Sequence, residues 1–379
     1  MTTEAAAPLA GLRVIELAGI GPAPYACLLL AELGAEVIRI DRPAAVGGTP
    51  TPSEGLSRSR SNIAVDLKHP DGRDLVLRLV RGADVLIEGL RPGVTERLGL
   101  GPDDCFAVNE RLIYGRMTGW GQDGPLAQTA GHDITYAAIT GALHATGAAD
   151  RPRNALNLVA DFGGGTMFLL LGVLAALYER RGSGRGQVVD AAMVDGAASL
   201  MSMVYGMLAR GDWQDSRESN LLDGGRPYYD TYECADGRHV AVGAIEPQFF
   251  AQLMKGLDLS FDQDDESQWP AMRSAIATRF AGRARDEWAA LFEQSDACVA
   301  PVLSLVEAQQ HPHIKARGVF AEADSGLEPR VAPVFSRSRT RSPGAVRPAG
   351  GDTRSVLAVA GLADREIDDL IRSGAVRQA

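Results

Sequence analysis

The sequence predicts an α/β fold with a parallel sheet, joined to a smaller α+β domain. Three observations carry that expectation. Short β-rich runs alternate with helix-like stretches through the first half, the texture of right-handed βαβ units. Near residues 229–245 two strand-like runs flank the turn Ala235-Asp236-Gly237, a hairpin pattern. The chain has 379 residues, enough for two separate cores.

In order, residues 12–17 form the first β-rich run, followed by a Gly/Pro turn. A helix is expected over 23–33, closed by Gly34, then strands at 36–40, 85–88 and 112–117. A long helix over 166–180 follows Gly163-Gly164-Gly165, and the loop GSGRG leads to a strand at 187–190. Its most apolar stretch, 167–178, is too short to span a bilayer and runs into Glu179, Arg180 and Arg181. Residues 1–191 are therefore assigned to the large domain. Residues 192–229, with Met193, Met201, Met203 and Met207 ahead of an Asp/Asn/Gly-rich stretch, are assigned as a linker. The methionines suit either a helix core or a varied apolar tail. Helices near 247–256 and 284–295 complete a small domain at 230–317, and 318–334 return the chain to the large domain, which 335–379 complete. Within that last part 335–350 lacks periodicity and reads as a solvated linker despite its four arginines, and a single helix is expected over 353–372.

Composition narrows the function. A net charge of −10 without a basic stripe argues against nucleic acid. Cys27, Cys105, Cys234 and Cys298 are far apart with no CxxC pair, which argues against a zinc site or disulfide framework and fits a reducing cytoplasm. The N-terminus lacks the basic and apolar regions of a signal peptide, and no membrane association is expected.

The opening strand–turn–helix–strand, with Asp41 after the second strand, invites a dinucleotide-binding reading. The turn itself, Gly19-Ile20-Gly21-Pro22-Ala23-Pro24, refuses it. It lacks the third small residue, and its prolines remove two N–H donors a pyrophosphate would need. What remains is a Rossmann-like sheet without a nicotinamide cofactor.

His132 stands where a loop enters a helix. It fits a capping or surface histidine first, and otherwise a base kept neutral by the helix dipole; Asp133 beside it can cap the helix. Asp161 precedes the triple glycine. It can be the N-cap of the following helix or an acid beside N–H groups that would bind an oxyanion. The glycines imply a backbone that approaches something closely. Glu246 precedes Pro247 and a helix, where Glu is a poor cap, so it can charge-pair a histidine.

Long strings across nearly the whole chain resemble α-methylacyl-CoA racemases, within the family III CoA-transferase group: TGWGQDGP, GHDITYAAITGALHATG, LNLVADFGGGTMFLLLGVLAALYER, PYYDTYECADGRHVAVGAIEPQFF and DACVAPV. The resemblance implies a large Rossmann-like domain linked to a small α+β domain, with two chains interlocked as a homodimer. It implies that His132 and Asp161 are the acid/base pair and that Glu246 supports His132. It implies a CoA site built from Arg42, Lys68, Gly89, Leu90, Arg91, Arg97 and the loop holding Gly131, Asp133 and Tyr136. The substrate would be a 2-methylacyl-CoA, with no cofactor beyond the CoA it carries. Residues 43–55 match no pattern of the group. Inverting a carbon α to a thioester requires one base on each face, plus donors for the enolate oxygen. A CoA transferase using Asp161 as nucleophile is the nearest alternative, and a catalytically silent CoA-thioester-binding protein is a further one. The strings around His132 and Glu246 favour the racemase.

Overall fold

The computed structural model describes residues 6–48, 54–323 and 326–379. Of the unmatched stretch 43–55, residues 49–53 therefore lie outside the described residues. The chain forms two compact units. The first gathers residues up to 140, 155–200 and from 315 on; the second gathers 141–154 and 201–314.

The first unit begins β1 (Arg13–Leu17), α1 (Pro22–Glu32), β2 (Glu36–Asp41), β3 (Ser61–Val65), α2 (Pro70–Val80), β4 (Val85–Glu88), α3 (Val94–Arg97), α4 (Pro102–Val108), β5 (Ile113–Thr118) and α5 (Asp133–Ile139). A hairpin of β6 (Gly147–Ala148) and β7 (Arg151–Pro152) belongs to the second unit. The first then resumes with a π-helical turn (Leu158–Met167), α6 (Phe168–Ser183), β8 (Gln187–Ala192) and α7 (Met193–Leu200).

Strands β1 to β5 and β8 run parallel in the order β3-β2-β1-β4-β5-β8, so the order reverses between β1 and β4. Alternation along each strand supplies two cores. Val14, Val37 and Ile113 face α1, α6 and α7 on one side. Ile15, Ile38 and Tyr114 face α2 and helices from the C-terminal part of the chain on the other. The expected α/β architecture with a mostly parallel sheet is thus present.

The second unit holds α8 (Ser202–Arg210), the hairpin β9 (Tyr229–Glu233) and β10 (His239–Gly243), then α9 (Pro247–Leu257), α10 (Trp269–Phe280), α11 (Arg285–Phe292), β11 (Val299–Pro301) and α12 (Leu305–Gln310). Its core joins Tyr232, Phe280, Trp288 and Phe292. After α13 (Pro312–Ala316), the hairpin β12 (Phe320–Ala323) and β13 (Gly326–Pro329) returns the chain to the first unit. That unit ends in α14 (Thr353–Val359), α15 (Asp364–Ser373) and β14 (Val376–Arg377), which pairs antiparallel with β3.

Several local expectations change. The segment 141–154, grouped with the large domain by sequence, packs in the second unit. Arg217 binds its backbone, donating to the carbonyls of His144, Ala148 and Ala149 at 2.9, 2.7 and 3.1 Å. The stretch 192–229 is not a bare linker but contains α7 and α8. The single closing helix is two helices, broken near Gly361. Residues 335–350 are largely exposed and irregular, as expected of a solvated linker, but they are also pinned to the first unit. Arg341 donates to the carbonyls of Gly34 (2.9 Å) and Ala35 (3.3 Å), and its backbone N–H to that of Glu32 (2.7 Å), a cation at the C-terminal end of α1.

The expectation of too short an apolar helix is also revised. Residues 158–183 run on as one helical stretch of 26 residues, with a mean hydropathy of 1.8 in its most apolar window, long enough to cross a bilayer. Part of that apolarity serves the sheet: Leu169, Val173 and Ala176 are buried in the core. The opposite flank leaves Leu171 and Tyr178 63% and 76% exposed.

Candidate active site

At the reversal of strand order the loops leaving β1 and β4 diverge, and a crevice opens beyond the strand ends. A cavity of about 460 Å³ occupies that position. Its wall comes from residues 20–22 after β1, 89–92 after β4, 117–120 at the end of β5, the start of α5, Asp161 of the π-turn and Met193 of α7. Gly89, Leu90, Arg91, Gly131, His132, Tyr136 and Asp161 all line it, so the fold gathers seven of the residues singled out by sequence.

His132 is the residue immediately before α5. It caps that helix with its backbone rather than its imidazole: its carbonyl accepts from the N–H groups of Thr135 (2.8 Å) and Tyr136 (3.2 Å), while its N–H donates to the Thr135 hydroxyl at 3.0 Å. The ring is left for the cavity. Tyr136, one turn on, is buried and sets the loop. A Cβ on Gly119 would stand 2.2 Å from its ring, and one on Gly131 2.5 Å, so both positions need glycine. Trp120 meets the same ring edge-to-face at 4.7 Å. The Trp120 indole N–H is buried and has no acceptor among the described residues.

Asp161 lies within the first turn of the π-helical segment, not at a helix N-cap. It is half-buried, and burial raises its carboxyl pKa. The charge of Asp133 adds to the rise, while a hydrogen bond from Asn157 and the nearby His132 oppose it. Burial first, and then the charge of Asp161, raises the Tyr136 phenol in turn. Asp161, His132 and Tyr136 are therefore electrostatic neighbours in one cleft.

The triple glycine has a different purpose from the oxyanion loop expected of it. None of its residues lines the cavity. A Cβ on Gly164 would stand 2.6 Å from the backbone N of Ala197, and one on Gly196 1.9 Å from the carbonyl O of Gly164. The glycines let the π-turn and α7 touch backbone to backbone, which fixes the turn that carries Asp161. Asp133 is also not a ligand-facing side chain. It is buried, and its carboxylate accepts from the N–H groups of Ala160 and Asp161, both at 2.8 Å.

Arg42, Lys68 and Arg97 do not line the cavity. Arg42 and Lys68 follow β2 and β3, and Arg97 ends α3, all exposed beyond the C-terminal edge of the parallel sheet. Beneath the 89–92 loop, Glu88 accepts from Arg116 at 2.9 Å and from the N–H of Leu90 at 2.7 Å, and Arg116 reaches Glu96 at 2.7 Å. Glu246 belongs to the second unit. It is exposed and precedes α9, its carbonyl accepting from Phe249 and Phe250 at 2.9 Å. It also helps raise the pKa of the neighbouring Cys298 thiol, after burial.

Sequence reasoning weighed residues 20–22 only as a phosphate loop, and left the cavity's Met117, Thr118 and Trp120 unassigned. The available signal was their position: each follows or ends a parallel strand next to the point of reversal.

Comparison with known proteins fits this geometry. Over residues 9–353 the chain matches the model of CoA-transferase family III. It is 43% identical to the α-methylacyl-CoA racemase of Mus musculus, covering 95% of each chain. To the α-methylacyl-CoA racemase of Homo sapiens it is 43% identical over 86% of each. A CaiB/BaiF family protein from Brucella suis shares the fold with a TM-score of 0.80 at 24% identity, over 94% of this chain and 100% of that one. With its cavity at the strand reversal and this match along most of its length, the chain belongs to CoA-transferase family III.

Proposed function

We propose that this protein is a racemase of 2-methylacyl-CoA thioesters, and that His132 and Asp161 are its two bases. The observation that carries the reading is that both line one cavity, reached from different elements, with the Asp161 pKa raised toward that of a usable acid. One base removes the α-proton, giving an enolate; the other, protonated, returns a proton to the opposite face. The enzyme ends with its proton on the other member of the pair, ready for the reverse direction. Arg91 at the mouth, with Arg42, Lys68 and Arg97 beyond the strand ends, would meet the phosphates and adenine of CoA. Glu246 would orient His132.

The active form would be an interlocked homodimer. Support comes from the uncovered apolar flank of α6, which exposes Leu171, Leu174 and Tyr178. A transferase reaction remains open to the family: Asp161 would attack the thioester carbonyl and release CoA, leaving a mixed anhydride. One experiment separates the two. A resolved 2-methylacyl-CoA in D₂O, with no acceptor acid present, should racemise and gain α-deuterium. Strict dependence on a second carboxylic acid would establish the transferase instead. His132→Ala and Asp161→Asn should each reduce racemisation by at least about 10²-fold; full racemisation in either removes that residue from the pair.

A further inference from the structure

We propose that Asp133 is a positioning residue that couples the two bases, an inference that rests on the acid/base reading above. Asp133 follows His132 directly in sequence, so its backbone is tied to the base on α5. Its side chain reaches the other element, where one carboxylate oxygen, Oδ2, accepts from the N–H groups of both Ala160 and Asp161 at 2.8 Å. The residue is only 4% exposed. A buried carboxylate is costly unless hydrogen-bonded, so this one is anchored rather than mobile. Through it, a displacement of the Asp161 turn is passed to the start of α5, in addition to the backbone contact that fixes that turn against α7.

The same side chain has an electrostatic effect. Asp161 faces Asp133, His132 and Tyr136 from α5 and Asn157 from its own segment. Burial is the first cause of the raised Asp161 pKa, and among its neighbours the charge of Asp133 adds to it, favouring the protonated form. His132 and the Asn157 hydrogen bond favour the ionised form. Sharing one proton between two unlike bases requires their affinities to be close, and a raised Asp161 narrows the gap to a histidine. Asp133 therefore bears both on where the bases stand and on how readily Asp161 holds a proton.

Two variants separate these effects. Asp133→Asn keeps an oxygen acceptor for the two N–H groups and removes the charge. Asp133→Ala removes both. Because the equilibrium constant of a racemisation is one, kcat/KM has the same pH profile from either enantiomer, and its acid limb reports the first proton lost from the pair, chiefly from Asp161. In Asp133→Asn that limb should move to lower pH. In Asp133→Ala kcat for α-deuterium exchange should fall by about 10²-fold with KM for the acyl-CoA little changed, the signature of misplaced bases rather than lost binding. If Asp133→Ala fails to fold, the acid limb of Asp133→Asn still decides. An unmoved limb in Asp133→Asn, or parent-like kcat in a folded Asp133→Ala, overturns the proposal. Such a result leaves the racemase reading intact while His132→Ala and Asp161→Asn remain inactive. Activity surviving in those two would instead remove the reading on which the proposal rests.

Discussion

At the scale of single residues, polar groups with no part in the cavity support its floor. Glu16 on β1 is fully buried between two arginines, accepting from Arg39 and Arg60 at 2.5 Å each; Arg60 also donates to the carbonyl of Pro24 in α1 at 3.0 Å. Removing this one anion would leave Arg60 buried without its carboxylate partner, while Arg39 keeps Asp41 at 2.9 Å; breaking such a buried pair costs about 3–5 kcal/mol. Glu36, in an exposed pair with Arg13, has no such leverage. Glu16→Ala should thus lower the urea midpoint strongly, whereas Glu36→Ala should change stability by less than about 1 kcal/mol. Equal effects would show that the buried network is not load-sharing. None of this was legible in the sequence, where Glu16, Arg39 and Arg60 are separate charges in β-rich text. His132 and Asp161 were legible only because their flanking strings resemble known ones. Asp133 was read as a helix cap, since the groups its carboxylate binds, the N–H of Ala160 and of Asp161, are distant in sequence.

At the scale of elements, the π-turn and α7 form the contact on which the geometry of the cavity depends. Their crossing is closed by backbone, not by side chains that can rotate away. Gly196→Ala should therefore destabilise the protein by about 1–3 kcal/mol or more and reduce α-proton exchange, because the strain falls on the turn bearing Asp161. Gly182, near the exposed end of α6, has open space where a Cβ would go. Gly182→Ala should be neutral or stabilising by about 0.5–1 kcal/mol. Thermal unfolding of the pair tests this, and comparable losses would refute it. The alternation of strands and helices, and with it the parallel sheet, was readable from period and turn residues. The π-turn was not: it differs from an α-helix by one residue per hydrogen bond, and local sequence has no mark for that. The strand β3 also escaped, since Ser61-Asn62 begin it with polar residues used to bind later parts of the chain. The N–H of Asn62 donates to Asp352 at 3.0 Å, and its side-chain oxygen accepts from Gly350 at 3.0 Å.

At the scale of the whole molecule, the apolar flank of α6 and the proposed dimer are two sides of one question. Leu171→Glu with Tyr178→Glu should convert a dimer into a monomer in sedimentation equilibrium at micromolar concentration, leaving the circular dichroism unchanged. A parent that is already monomeric at those concentrations would reject the dimer. The chain path has a consequence of its own. The free side of β3 is covered by β14, which pairs Val376 with Val65 and Arg377 with Ala64, and Ala375 accepts from the N–H of Asp66 at 2.8 Å. Everything in the second unit is synthesised between those partners. A nascent chain thus emerges with a hydrophobic parallel sheet whose edge stays open until that unit has been made, the interval in which chains of this kind pair wrongly with one another. Slowing translation across 201–314 should therefore raise aggregation during synthesis without altering the stability of the finished protein.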